Sequence, residues 1–460
     1  MKDKTTTIYK NAILNKATDV LQIFIKYIIV IISMLFLGFI FLQSFFGSTF
    51  LDFCESSFFI EKPFWSTVLI VLIPILITII VKIILQKYSI SIVTPNYIFL
   101  GIVTVVYTIL MIMFVYKTGI PAMDDQELIL NAANDLLNNV PDMWDKGAYC
   151  YRFPNQNGFV LFVALGLKIF GADNQMVFQY LNIPMLILSA FFLSKTIYLL
   201  FNDKKLARYS YILLLGFFQL NCYVTFVYGT LYGLAASVAG IFLLIKYFKK
   251  RNIVNGLVGI SLLSIGYGFK SNYLIMIVAA FLLLLFDAIV KKSLKSVITL
   301  VWGIVFYVII VTSISSTIYH LTGKKVDEET PNTAWVAMGL QESYKAPGWW
   351  NGYNAKVFAD NEYDISKTKE AISQNISERM EELKKDKDYT MSFFSKKTAS
   401  QWSEGTFECF YITNLDRGRL SNPTWTDSVK NLMVDGHSAN RAVTTICNYF
   451  IVFLWLGIIL

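Results

Sequence analysis

The sequence predicts an all-α polytopic membrane protein with about ten transmembrane helices, two juxtamembrane surface helices and a small extracytoplasmic domain. Three observations carry that fold class. Apolar residues come in blocks of about 16 to 25, close to the ~20 that a helix needs to cross a bilayer. Of the 460 residues, 55% are hydrophobic and 16% aromatic, and mean hydropathy is +0.53, a profile that soluble enzymes do not share. The positive charges gather in short loops between apolar blocks, as the positive-inside rule requires of a cytosolic face. The same distribution assigns the net charge of +8 to membrane orientation and argues against a nucleic-acid partner. The alternating segments of an outer-membrane barrel are absent.

Lys2, Lys4, Lys10 and Lys16 precede the apolar run Tyr27–Phe46. That run is too long for the core of a signal peptide and no small-residue cleavage site follows it, so it is expected to be an uncleaved first helix with a cytosolic N-terminus. Further spans are expected over Phe64–Leu85, Tyr97–Tyr116, Met176–Leu200, Tyr209–Val224, Val227–Phe248, Ile253–Phe269, Asn272–Val290, Val297–Tyr319 and Val443–Leu460. The block Asn155–Gly171 decides the threading. If it lies along the outer surface, the basic loops Asn202–Arg208, Lys246–Asn252 and Lys291–Lys295 all fall in the cytosol, so charge selects that arrangement. Four regions follow: a helix pair over 1–96, a membrane core over 97–319 with an outer loop at 117–175, an extracytoplasmic domain over 320–441, and a C-terminal helix over 442–460. The protein is expected in the plasma membrane, with its chemistry on the outer face.

Lys82, Lys195, Lys246 and Asp287 fall near cytosolic helix ends, where long side chains snorkel and carboxylates find water. None sits at mid-bilayer, which weakens an ion-coupled transporter reading. The cysteines (Cys54, Cys150, Cys222, Cys409, Cys447) show no C-x-x-C spacing and His320 and His437 are the two histidines, so isolated buried thiols are expected rather than a zinc site.

The candidate chemistry begins at Asp124 and Asp125, just past the third apolar run. "DDQE" fits a capping box with Asp124 as N-cap and Glu127 at N3, which accounts for one carboxylate and leaves the other for function. The stripe Ile129, Ala132, Ala133, Leu136, Leu137 and Val140 then predicts a helix lying flat on the bilayer, with Asn131, Asn134 and Asn138 toward water. Pro154 ends any helix through Phe153, and Asn155 and Gln156 add hydrogen-bonding groups. Arg152 suits a phosphate or a lipid headgroup. Lys270 lies in a tight outer hairpin, against the orientation rule; it either snorkels or awaits an anion. Trp335, Trp349, Trp350 and Tyr353 suit sugar stacking or an interfacial aromatic belt. Mg²⁺ or Mn²⁺ is a further candidate ligand for the pair Asp124 and Asp125, with water completing the shell.

In their order, "DQELILNAA" (Asp125–Ala133), "FPNQNGFVLFVALGLKIFG" (Phe153–Gly171), and "AWVAMGL" with "GWWNGYN" resemble the GT-C superfamily of integral membrane glycosyltransferases. The second segment is similar to protein mannosyltransferase-like and aminoarabinose-transferase-like members, the third to a Gram-positive bacterial branch. The resemblance implies transfer of a sugar from a polyprenyl-phosphate donor to the hydroxyl of a cell-wall glycan, lipid or protein, with inversion. It puts the catalytic base on Asp125, with Asp124 as fallback. Lys270 and Arg152 would meet the donor phosphate, and Asn155, Gln156, Trp335, Trp349, Trp350 and Tyr353 the substrates. The chain departs from the pattern in its two leading spans and in ending directly after an apolar run, which marks it as short or truncated against such relatives. A polysaccharide polymerase or ligase, a lipid-linked sugar flippase and a glycan-binding membrane protein are the alternatives.

Overall fold

The structure, a computed structural model, describes residues 2–52, 55–88, 94–171, 174–325, 329–413 and 426–460; Cys54 lies outside them, as do the side chains of Lys2, Lys4, Lys10 and Lys16. Helix α1 (Lys2–Phe46) leads into a hairpin of β1 (Gly47–Leu51) and β2 (Ser57–Glu61), paired antiparallel with Gly47 opposite Glu61. This hairpin departs from the all-helical expectation. Its backbone is satisfied from far along the chain: the Thr49 N–H donates to the Ser403 carbonyl at 3.1 Å and the Ser57 N–H to that of Lys345 at 2.7 Å. Helices α2 (Phe64–Lys87) and α3 (Tyr97–Thr118) follow, the latter capped by the Asn96 side chain, which accepts from the Phe99 N–H at 2.7 Å.

Next come α4 (Asp125–Asn138), the single turn α5 (Tyr149–Arg152) and α6 (Asn157–Phe170). At 14 residues each, α4 and α6 are about 21 Å long, short of the ~30 Å hydrocarbon core. The apolar stripe of α4 is not laid on lipid as expected. Ile129, Ala132 and Ala133 are buried in one cluster with Phe159, Val160 and Val163 of α6, so protein covers the face that the bilayer was expected to cover. Asn131 and Asn138 are exposed, while Asn134 is half-buried.

The bundle continues through α7 (Met176–Phe201), α8 (Lys204–Leu215), α9 (Phe218–Cys222), α10 (Thr230–Lys250), α11 (Ile253–Phe269), α12 (Leu274–Val290) and α13 (Leu294–Thr322). The expected continuous span Tyr209–Val224 is broken. It follows α3 from end to end: Arg208 donates to the Pro95 carbonyl at 2.5 Å, the Tyr211 and Thr104 hydroxyls meet at 2.6 Å, and the Tyr107 hydroxyl donates to Asn221 at 3.0 Å. Cys222 then joins Ile120, beyond the far end of α3, in one buried cluster. Non-helical backbone at such depth needs partners from the protein, and polar side chains supply them. Asn221 donates to the Leu215 carbonyl at 2.9 Å, and Asn182 to those of Val224 and Phe226 at 2.9 and 3.2 Å.

Helices α14 (Thr333–Met338), α15 (Tyr353–Asp360), α16 (Ile365–Lys385), α17 (Lys387–Trp402), α18 (Cys409–Thr413) and α19 (Asp427–Met433) precede the final α20 (Ser438–Ile459). Among the described residues, eight helical stretches are long and apolar enough to cross a membrane, and the chain is a predominantly α-helical, multi-pass membrane protein. Ile98, Leu213 and Ile275 are 75%, 72% and 72% exposed, an apolar exterior suited to lipid. Cys222 and Cys409 share a buried cluster, so these two thiols are not isolated as their spacing implied.

Asp287 also departs from expectation. It is 5% exposed and is neutralised by protein rather than water. Arg251 donates to it through two bonds of 2.6 and 2.7 Å, the Ser296 hydroxyl at 2.5 Å, and Lys291 stands at 3.3 Å. This clamp ties the C-terminal end of α10 to α12 and α13. Asp287→Ala leaves the partly exposed Arg251 guanidinium and the buried Ser296 hydroxyl without their carboxylate and is expected to destabilise the protein by about 1–3 kcal/mol. Thermal unfolding in detergent measures the loss, and an unchanged midpoint contradicts it.

Candidate active site

The two ends of the bundle differ in chemistry. One carries Arg208 beside Pro95 and the Arg251–Asp287 clamp. At the other end, α4 to α6, the hairpin and the α14–α19 segment come together. The candidate residues lie at this second end.

Asp124 occupies the N-cap position of α4 at φ +53°, ψ −130°, and its side chain makes no cap hydrogen bond. The expected capping box with Glu127 is therefore not formed. That backbone conformation is ordinarily left to glycine and stores roughly 1–3 kcal/mol of strain, a cost that concentrates at functional sites. The turn delivers Asp125 to the first position of α4, where it is exposed.

Asp125 is engaged from a direction the sequence did not reveal. Its Oδ2 accepts a 2.5 Å hydrogen bond from the Tyr228 hydroxyl, whose oxygen accepts from the Gln156 amide at 2.7 Å. The Lys270 ammonium stands over the same tyrosine, 3.3 Å from the ring centroid. Beside it, Asn155 donates to the Ser271 hydroxyl at 3.2 Å. Tyr228 thus gathers three of the candidates, Asp125, Gln156 and Lys270, from separate parts of the chain, while Asn155 is held beside Lys270 through Ser271. Tyr228 itself was hidden in the expected span from Val227, but α10 begins only at Thr230. The signal that could have found it is Gly229.

Gly229 adopts φ +77°, and a Cβ there would collide with the Phe269 carbonyl. This close approach sets Tyr228 against the end of α11 and hence against Lys270. Gln126, 1% exposed, accepts the Val227 N–H at 2.7 Å and fixes the same loop to α4. The Tyr273 hydroxyl donates to the Thr230 carbonyl at 2.8 Å, closing the frame from the α11–α12 hairpin.

Burial pushes the Lys270 ammonium down to about 7, with the Asp125 charge partly opposing the shift. Burial, and after it the Asp125 charge, raises the Tyr149 hydroxyl; burial, Tyr149 and Asp125 raise Tyr228. Both phenols therefore stay neutral, and Tyr228 is the donor to the carboxylate. A carboxylate has about four lone-pair sites, so the exposed Asp125 keeps acceptor capacity for a further hydroxyl.

The other candidates divide. Arg152 lies 5.3 Å over the Phe153 ring, and its Nε is buried without a hydrogen-bond partner. Trp335 meets the same ring edge-on at 6.2 Å, which places it beside the loop of Arg152. Trp349 and Trp350 instead line a separate cavity of about 450 Å³. Tyr353 packs with Ala334, Ala337, Val357 and Ile372, so the four aromatic candidates do not form one platform. For Mg²⁺ or Mn²⁺ the donors fit poorly: one Asp125 oxygen is committed to Tyr228, and no group of three His, Cys, Asp or Glu suited to a metal occurs among the described residues.

Gly229→Ala is expected to push Tyr228 away from Lys270 and lower stability by about 1–3 kcal/mol, read as a fall in the unfolding midpoint in detergent. A midpoint equal to that of the parent chain counts against the close approach. No family model, curated protein or solved structure matches this chain.

Proposed function

We propose that the chain is a glycosyltransferase of the GT-C type, with about ten crossings, that moves a sugar from a polyprenyl-phosphate donor to an acceptor hydroxyl at the extracytoplasmic face. The observation that carries this reading is the Asp125–Tyr228–Lys270 group: a solvent-facing carboxylate and a partly buried ammonium held on one tyrosine. The basic loops support the sidedness, because Lys204, Lys205 and Arg208 cluster at the end of the bundle away from Asp125.

In this mechanism the acceptor hydroxyl attacks the anomeric carbon while Asp125 takes its proton. The new C–O bond forms as the bond from that carbon to the phosphate oxygen breaks, and the electron pair leaves with the lipid phosphate. One displacement inverts the anomeric centre. Lys270 neutralises the growing phosphate charge, and Arg152 on the neighbouring loop is the second cation available to it. Tyr228 is a positioning residue, orienting the carboxylate as Gln156 orients the phenol. A lipid-borne donor also accounts for a site at headgroup level and for a chain without a nucleotide-binding glycine loop.

Asp125→Asn is expected to leave the protein folded in the membrane and to lower transfer by about 10²- to 10⁴-fold, the usual worth of general-base assistance. Transfer assayed with native lipid extract checks this, and parent-level transfer removes Asp125 as the base in favour of a flippase or binding role. Lys270 makes a pH prediction. Below about 7 its Nζ carries charge and pairs with phosphate, whereas above that value it loses its proton, so donor KM rises as pH increases. Lys270→Arg, charged throughout, is expected to flatten the rise. A donor KM independent of pH in the parent chain contradicts the phosphate role.

A further inference from the structure

The cavity of about 450 Å³ at the junction of the hairpin, α17 and the broken crossing falls in the size range of small-molecule sites, about 300–1,000 Å³. Tyr223, Trp349, Trp350, Gln401, Glu404 and Glu408 line it. Its aromatic walls are held in place before any ligand arrives. The Trp349 indole N–H donates to the Ser400 hydroxyl at 2.7 Å, and the Tyr223 hydroxyl to the Phe407 carbonyl at 2.9 Å. Gly348, at φ +74°, makes the turn into the tryptophan pair, where a Cβ would stand 2.6 Å from the Gly339 carbonyl.

The carboxyls divide the work. Glu404 is committed to its own loop: Oε1 accepts from the Thr406 N–H at 2.9 Å and its hydroxyl at 2.5 Å, and Oε2 from the Glu408 N–H at 2.9 Å. Glu408 is the carboxyl left to face a ligand. Phe407 and Glu408 follow one another at φ +50° and +59°, strained backbone that presents Glu408 beside Glu404. Burial, and next the Glu404 charge, lifts Glu408 to about 7, with Lys345 opposing. A carboxyl that is substantially protonated near neutral pH donates and accepts hydrogen bonds and is a poor counter-ion for an amine. The cation position on Trp350 is moreover already taken by Lys345, 5.2 Å from the ring and paired with Glu55.

We infer that this cavity binds a neutral saccharide, with sugar C–H faces stacked on Trp349 and Trp350 and hydroxyls hydrogen-bonded to Glu408 and Gln401. Tyr223, Phe226 and Tyr228 connect the cavity to the candidate active site through ring contacts of 5.8 and 5.4 Å. The saccharide is accordingly the acceptor glycan, a role that rests on the transferase reading; the binding itself does not.

The test is saturation-transfer difference NMR on the full chain in detergent micelles, with chitotriose and maltotriose as neutral probes and choline as the cationic one. Ring protons of at least one saccharide are expected to saturate in the parent chain and equally in Asp125→Asn. Trp350→Ala, at an exposed ring, is expected to weaken that binding about tenfold or more. Glu408→Gln, which keeps hydrogen-bonding capacity, is expected to weaken it about threefold at most. Absence of both saccharides, parent-level binding by Trp350→Ala, or choline binding that Glu408→Gln abolishes overturns the proposal. Should Trp350→Ala misfold, the parent chain and Glu408→Gln decide between saccharide and cation. Binding without transfer leaves this pocket standing and removes the transferase reading, whereas transfer without binding removes the pocket alone.

Discussion

A peptide group within hydrocarbon has no water to bond, and the irregular stretch between α8 and α10 is organised by that constraint. Most of the chain meets it with helices. The segment between α7 and α10, which runs beside α3, does not, because α8 ends at Leu215 and the chain from there to Gly229 is mostly short turns. Asn221, Asn182 and Gln126 supply the missing partners. Those amides do more than satisfy carbonyls and N–H groups. Asn182 holds the backbone up to Phe226, and Gln126, through the Val227 N–H, holds the loop in which Tyr228 lies between α4 and the end of α11.

The candidate site inherits its electrostatics from that loop. Asp125 and Lys270 approach the same tyrosine in different ways, the carboxylate through the hydroxyl and the ammonium through the ring face. A phenol hydrogen bond orients a carboxylate without neutralising it, and a ring face attracts a cation without consuming its hydrogen-bonding capacity. Each charge therefore keeps capacity for a substrate while the tyrosine fixes their relation. Burial favours the neutral form of Lys270, and the Asp125 charge partly offsets it.

The α14–α19 segment is joined to the membrane part at identifiable points. The β1–β2 hairpin bonds to Ser403 and Lys345, and Lys62 donates to the carbonyls of Ser44 and Asn448 at 2.7 and 2.6 Å, tying α1 to α20. The cavity with Trp349 and Trp350 lies where these connections meet the broken crossing. One stretch of irregular backbone, Tyr223 to Gly229, consequently borders both the cavity and the Asp125 group.

Apolar run length and the placement of lysines and arginines determined, from sequence alone, a multi-pass helical membrane protein, because bilayer thickness and backbone satisfaction allow few other solutions. The same reasoning found Asp125, Gln156, Asn155 and Lys270 singly, since each is a polar group where the local pattern did not call for one. Tertiary structure alone decided what joined them. Tyr228 looked like the start of a span, and only the packing of Gly229 on Phe269 takes it out of the helix. Asp287 looked solvated until Arg251 closed on it from another helix. Glu408 and the tryptophans lie more than fifty residues apart, and their meeting depends on long-range contacts that local periodicity does not encode.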